Sequence, residues 1–141
     1  MTDDTMTRIG AAVSRGRAGE RLAARDELVA IWSTLASDDA LHRCALAHYL
    51  ADLQDDPAVE LEWDERALEA STGLPTAQAA SFLPSLHLNL ADVHRRLDHP
   101  VLAREHLALA RAHEHHLADD DYGTMIRGGI RHLDDTLGAI S

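Results

Sequence analysis

The apolar triplet Leu86, Leu90 and Val93 recurs at a fixed step of 40 residues, as Leu46, Leu50 and Leu53 before it and as Ile126, Ile130 and Leu133 after it. Spacing of i, i+4, i+7 places each triplet on one stripe of a helix. Ala51-Asp52 returns as Ala91-Asp92 in the same phase. Helices that bury the same face at a fixed interval form stacked units, each closing its apolar surface on its neighbour. A second series keeps the step: Ala30, Ala70 and Ala110, with Leu28, Leu68 and Ala108 beside them. Small residues at these positions are expected to let paired helices approach closely. The chain therefore reads as three helical hairpins and a closing helix. The first hairpin matches least well, because Met6, Gly10 and Val13 only half fulfil the triplet.

Local signals place seven helices. The first spans about 3–15, with Met6, Ile9 and Val13 on one face and Gly16 ending it. The second, about 17–36, has Leu28, Ile31, Trp32 and Leu35 as its buried stripe. Ser37-Asp38-Asp39 caps a third over 39–54, and Pro57 opens a fourth that runs to Ser71 with Val59, Trp63, Ala67 and Ala70 inward. Gly73 and Pro75 mark the clearest loop. The fifth helix is expected to start within 77–84, with Pro84 in its first turn. The sixth, about 101–117, is faced by Ala103, Leu107, Ala110 and Leu117; the last, about 121–138, has Tyr122, Ile126, Ile130, Leu133 and Leu137 inward. Alternating β-branched runs are absent, so the fold class is all-α.

A chain of 141 residues suits one domain, 1–141, with 1–16 as a short N-terminal helix or arm and 17–138 as the array. Its net charge of −11 disfavours nucleic acid as a partner and suits a protein or peptide that is basic or of mixed charge. The acidity is concentrated: residues 38–72 hold ten acids against Arg43 and Arg66. The single cysteine, Cys44, rules out an internal disulfide and fits a reducing compartment. MTDDTMTRIG has no apolar signal core, and no run approaches a membrane-spanning length. A cytoplasmic protein without a membrane partner is expected.

Ten histidines raise the question of a metal. His42, Cys44 and His48 lie close together, and His113 and His116 stand one turn apart in the His113–His116 cluster. No HExxH, CxxC or ExxH pair accompanies them, and the cluster fits a helix end, where imidazolium meets the dipole. The expectation is therefore no metal and no cofactor. Cys44 sits among Leu41, Ala45 and Ala47, as a small buried residue would. The run from Asp52 to Glu65 reads as a solvated surface, and Gly128-Gly129 as a point of close helix contact. Nothing here assembles a catalytic set, so an enzyme is not expected.

Leu90, Ala91 and His94, followed by Ala103, Leu107 and Ala110, resemble the hairpin signature of the tetratricopeptide-repeat family, which Leu50-Ala51 and Ala70 match in part. The family unit is about 34 residues. The longer step here resembles its extended-helix variants, with Asp98 where Gly is usual and His94 where Tyr is usual. The block His42–Pro57 is similar to small bacterial repeat proteins without an assigned activity. The resemblance implies a right-handed array of antiparallel hairpins whose first helices line a concave, partner-binding groove. Carried across, the groove positions are Ser85, Leu88, Asp92, Arg95 and Arg96, and one step earlier Ala45, His48, Asp52, Asp55 and Asp56. The family's carboxylate clamp needs converging cations, yet the equivalents of Arg95 and Arg96 are the anions Asp55 and Asp56. The expected function is a non-enzymatic protein- or peptide-binding module using His48, Asp52, Ser85, Leu88, Asp92, Arg95 and Arg96. The alternatives are a small metal-binding or sensory protein built on the His/Cys clusters, and a self-associating subunit that forms a homodimer.

Overall fold

A computed structural model describes residues 3–139, and every regular element among them is helical. Residues 1, 2, 140 and 141 of the expected domain lie outside the described range. The chain divides into two compact units, the first ending at Gly73 and the second starting at Leu74. In the first, α1 (Asp4–Arg17) packs on α2 (Arg21–Trp32), α3 (Ala40–Asp52) packs on α4 (Pro57–Ser71), and α3 touches both α1 and α2. In the second, α5 (Thr76–Arg96) pairs with α6 (Pro100–His113), a 3₁₀ turn follows at Glu114–His116, and α7 (Asp121–Gly138) packs on α5 and α6. No described helix is long and apolar enough to cross a membrane.

Aspartates start four of these helices. Asp3, Asp39, Asp56 and Asp120 each accept a backbone N–H of the first turn, from Met6, His42, Ala58 and Gly123 respectively. Pro57 and Pro100 occupy first-turn positions of α4 and α6, where the missing N–H costs nothing. Two helices end in the same six-residue motif. Gly19 at φ 106° lets its own N–H reach the Gly16 carbonyl and that of Glu20 reach Arg15. Asp98, at φ 61°, closes α5 in the same way, with N–H donation from Asp98 to Arg95 and from His99 to His94.

All nine residues of the three triplets are buried. The correspondence reaches well beyond them. Cys44, Ala45, Leu46, Ala47, Leu50, Ala51 and Leu53 are buried at the α3 positions, and the residues 40 further on, Pro84, Ser85, Leu86, His87, Leu90, Ala91 and Val93, are buried in α5. In α7 the buried Ile126, Ile130 and Leu133 continue the series, and Leu137 falls 40 beyond Leu97. Each leucine fully removed from water contributes about 1.5–3 kcal/mol, so this inward face is a main source of stability in each unit, joined in the first by Ile9, Leu28 and Ile31.

Several sequence expectations need correction. Gly16 does not end α1; it is buried, and a Cβ there would meet Leu53 Cδ2 at 3.1 Å and Ala24 Cβ at 3.2 Å, so it is a packing glycine. Gly19 supplies the stop. Ala30 is exposed, because α2 buries Ala24, Leu28 and Ile31, which precede Trp63, Ala67 and Ala70 by 39 residues instead of 40. One residue turns a helix by about 100°, enough to move Ala30 off the inner face. α5 begins at Thr76, eight residues ahead of Pro84, which lies buried inside the helix. Its ring removes one backbone bond without ending the helix, since packing on both sides holds the turn. Tyr122 is 47% exposed, and the inward place it was expected to take belongs to Gly123. Asp64 is buried, although its neighbours in the acidic run are not, because it stands beside Trp63 on the inner face of α4.

Candidate functional site

The second unit carries a groove of about 260 Å³ between α5 and α7. Leu88 and Leu133 form its apolar floor, and Asn89, Asp92, Arg95, His132 and Thr136 its polar walls. Gly129 lets Leu88 pack directly against α7: a Cβ at that position would lie 2.8 Å from Leu88 Cδ2. This is the close helix contact expected of the glycine pair, and Gly129 alone makes it; a Cβ on Gly128 would approach only Arg131.

Three of the anticipated binding residues, Leu88, Asp92 and Arg95, line this groove. Asp92 joins the two arginines: Oδ1 accepts from Arg95 at 2.9 Å and Oδ2 from Arg96 Nε at 3.0 Å. The spacings i, i+3 and i, i+4 make this pairing on one helix face possible. The carboxylate therefore orients both guanidinium groups and has no oxygen left wholly free for a partner's amides. Ser85 does not belong to the surface. It is 2% exposed and its hydroxyl donates to the Phe82 carbonyl, because its position is part of the inward face shared with Ala45.

The remaining two anticipated residues, His48 and Asp52, lie one turn apart on α3 in the first unit. Asp52 lines a smaller groove of about 150 Å³ with Arg17, Arg21 and Tyr49. Burial holds the His48 imidazole below its ordinary value, against the opposing pull of Asp52. Crowding by protein atoms raises the Asp52 carboxyl, with Glu60 adding to it and His48, Arg17 and Arg21 opposing. Of the other cluster members, His42 is clasped by two carboxylates, its Nδ1 2.7 Å from Asp39 and its Nε2 2.8 Å from Asp3. Burial pulls His42 down, but these two partners together raise it. Cys44 is fully buried, and that burial pushes its thiol up to about 11, far from an activated thiolate.

Sequence reasoning missed the most distinctive feature of the second unit. Along the α5–α6 seam the imidazoles of His99, His94, His106, His87 and His113 follow one another as a ladder. His94 Nδ1 lies 3.1 Å from His99 Nδ1, and His87 Nδ1 lies 3.1 Å from His106 Nδ1. The ring centroids of these pairs are 5.4 and 5.3 Å apart, which leaves little more than the two ring radii, so the nitrogens point at each other along the line of centres. Each pair is a hydrogen bond with one proton between two rings of complementary tautomer. Nearly parallel rings make the rungs between them, His94 with His106 at 5.5 Å and His87 with His113 at 6.0 Å, and His113 passes the series to His116. His87 and His94 are each 6% exposed. Burial first, then His106 and His113, depress His87 to about 4. His106 is also lowered by burial, against Glu105.

Chemically, a head-on imidazole pair accepts one proton and resists a second, which would set N–H against N–H. A signal for the ladder stood in the sequence: His87 and His94 are seven apart, as are His99, His106 and His113. Two helical turns return to the same face, and a tight hairpin brings the two histidine faces together. Among the described residues, no group of three or more His, Cys, Asp or Glu side chains is arranged to hold a metal ion. Comparison with known protein families, characterised proteins and solved structures gives no match for this chain.

Proposed function

We propose that this chain is a non-enzymatic, tetratricopeptide-like helical-repeat module of the cytoplasm that binds a protein or peptide, and that the α5–α7 groove is its working surface. The observation that carries this reading is the apolar floor of Leu88 and Leu133 walled by Asp92 and Arg95, with Arg96 outside the lining but bonded to the same Asp92 carboxylate. An apolar trough with a few oriented polar groups is the usual make-up of a recognition site. Planar guanidinium forks held by a carboxylate keep further donor edges for a peptide carbonyl or carboxylate. The repeat reading is supported by the 40-residue correspondence of buried positions between α3 and α5. A short peptide of mixed charge is the partner that suits the groove. Its test is a panel of such peptides titrated against the protein and an Arg95→Ala/Arg96→Ala variant. Folding should change by about 0–1 kcal/mol, since both arginines pair with Asp92 in partly exposed ion pairs. Affinity should fall about 30-fold if these groups meet the partner. Equal affinity for the two proteins removes the groove as the centre of binding.

The histidine ladder supports a second reading, a proton-responsive sensory role for the second unit. The His87–His106 pair, in a buried seam, accepts one proton and resists a second, and burial depresses His87 to about 4, so the unit would respond to acid below the ordinary histidine range.

A further inference from the structure

The largest cavity described in the first unit, about 410 Å³, lies beside the α3–α4 hairpin and has no place in the reading above. Four charged side chains line it: Arg43, Arg66, Asp38 and Glu69. None of the four forms an ion pair among the described residues. The two cations are nevertheless fixed. Arg43 lies over the Trp32 ring with its guanidinium carbon 4.1 Å from the centroid, and Arg66 lies over Trp63 at 4.4 Å. The two indoles meet edge to face, 5.1 Å apart. They thereby tie both guanidinium groups to one aromatic support.

A guanidinium lying over a ring spends no hydrogen bond on it, so its N–H groups remain available to a carboxylate. A simple anion entering the cavity would gain from the two arginines but would also approach two carboxylates. A simple cation would meet the reverse. A ligand carrying both signs escapes this conflict. We propose that the cavity binds a small zwitterion of the free amino-acid class, its carboxylate on Arg43 and Arg66 and its ammonium group on Asp38 and Glu69.

Trp32 and Trp63 are the only two tryptophans of the chain, and each supports one of the arginines, so intrinsic fluorescence reports the cavity directly. The experiment titrates the full-length protein with the twenty common amino acids, with acetate and with methylammonium, at matched ionic strength, and repeats each positive titration calorimetrically. At least one amino acid should saturate the signal with an affinity about 10-fold or more above either half-ligand. Arg43→Ala/Arg66→Ala should abolish saturation, whereas Arg131→Ala, in the second unit, should leave it unchanged. Helicity by circular dichroism checks that the double variant is folded. Asp38→Asn/Glu69→Gln alters only exposed side chains; it should erase the preference for amino acid over acetate. The proposal is overturned if no amino acid saturates the signal at 10 mM (about the upper useful range for a site this small). Acetate binding as well as every amino acid, or saturation that persists without the two arginines, overturns it equally.

Discussion

Replacing His87 by Gln removes one titrating ring from the ladder while keeping a side chain that donates or accepts toward His106. In the folded protein His87 is depressed from 6.5 to about 4. Above pH 6.5 the ring is neutral in both folded and unfolded chains, and the full stability is present. As the pH falls below 6.5 the unfolded chain takes up the proton first, and stability is lost until the folded ring also protonates near pH 4. A difference of this size corresponds to about 3 kcal/mol, at 1.36 kcal/mol per pKa unit. Against a total of about 5–15 kcal/mol for a typical domain, the loss is large. Urea unfolding followed by circular dichroism between pH 7.5 and 4 should show the variant losing about 3 kcal/mol less than the natural protein over that range. Tryptophan fluorescence, which reports only the first unit, separates a local effect from a general one. The cost of the substitution at pH 7.5 is immaterial; only the difference between the two pH curves counts. Parallel curves would refute the depressed His87 and, with it, the buried ladder. Carbon-detected titration of the imidazoles by NMR gives the same answer ring by ring.

Two further outcomes follow from the packing and the helix ends. Leu90→Ala, at a position 1% exposed, should destabilise the protein by about 2–5 kcal/mol in chemical unfolding. Asp98→Gly should stabilise it by about 0.5–1 kcal/mol, because φ 61° suits glycine better than a residue with a Cβ. A lowered melting temperature for that variant would show that the Asp98 side chain contributes more than its backbone strain removes.

The helical frame was legible because its signals are local and periodic. Leu46, Leu50 and Leu53 announce a stripe, Ser37-Asp38-Asp39 announces a helix start, and Pro57 opens a first turn. Ala30 was misplaced because a 40-residue rule fitted to α4 and α6 does not record a one-residue slip in α2. Pro84 misled for a different reason. A proline's local preference for a first turn yields to the burial of its neighbours Ser85, Leu86 and His87, a property of the assembled unit. For the candidate sites, the Asp92–Arg95–Arg96 cluster could be read from i, i+3 and i, i+4 spacing within one helix. The histidine ladder required two helices to be placed side by side first. Likewise, nothing in the acidic run distinguishes Asp64 from Glu65 until the inner face of α4 is known.

The matched burial of α3 and α5 separates scaffold from lining. At equivalent places of the two hairpins, 40 residues apart, Ala47 answers His87, Gln54 answers His94, Val59 answers His99 and Arg66 answers His106. The inward leucines agree, while these seam residues differ. Segments 44–53 and 84–93 thus share one buried pattern while each carries its own seam chemistry. The α2 segment stands outside this pattern, since its buried positions are one residue out of register.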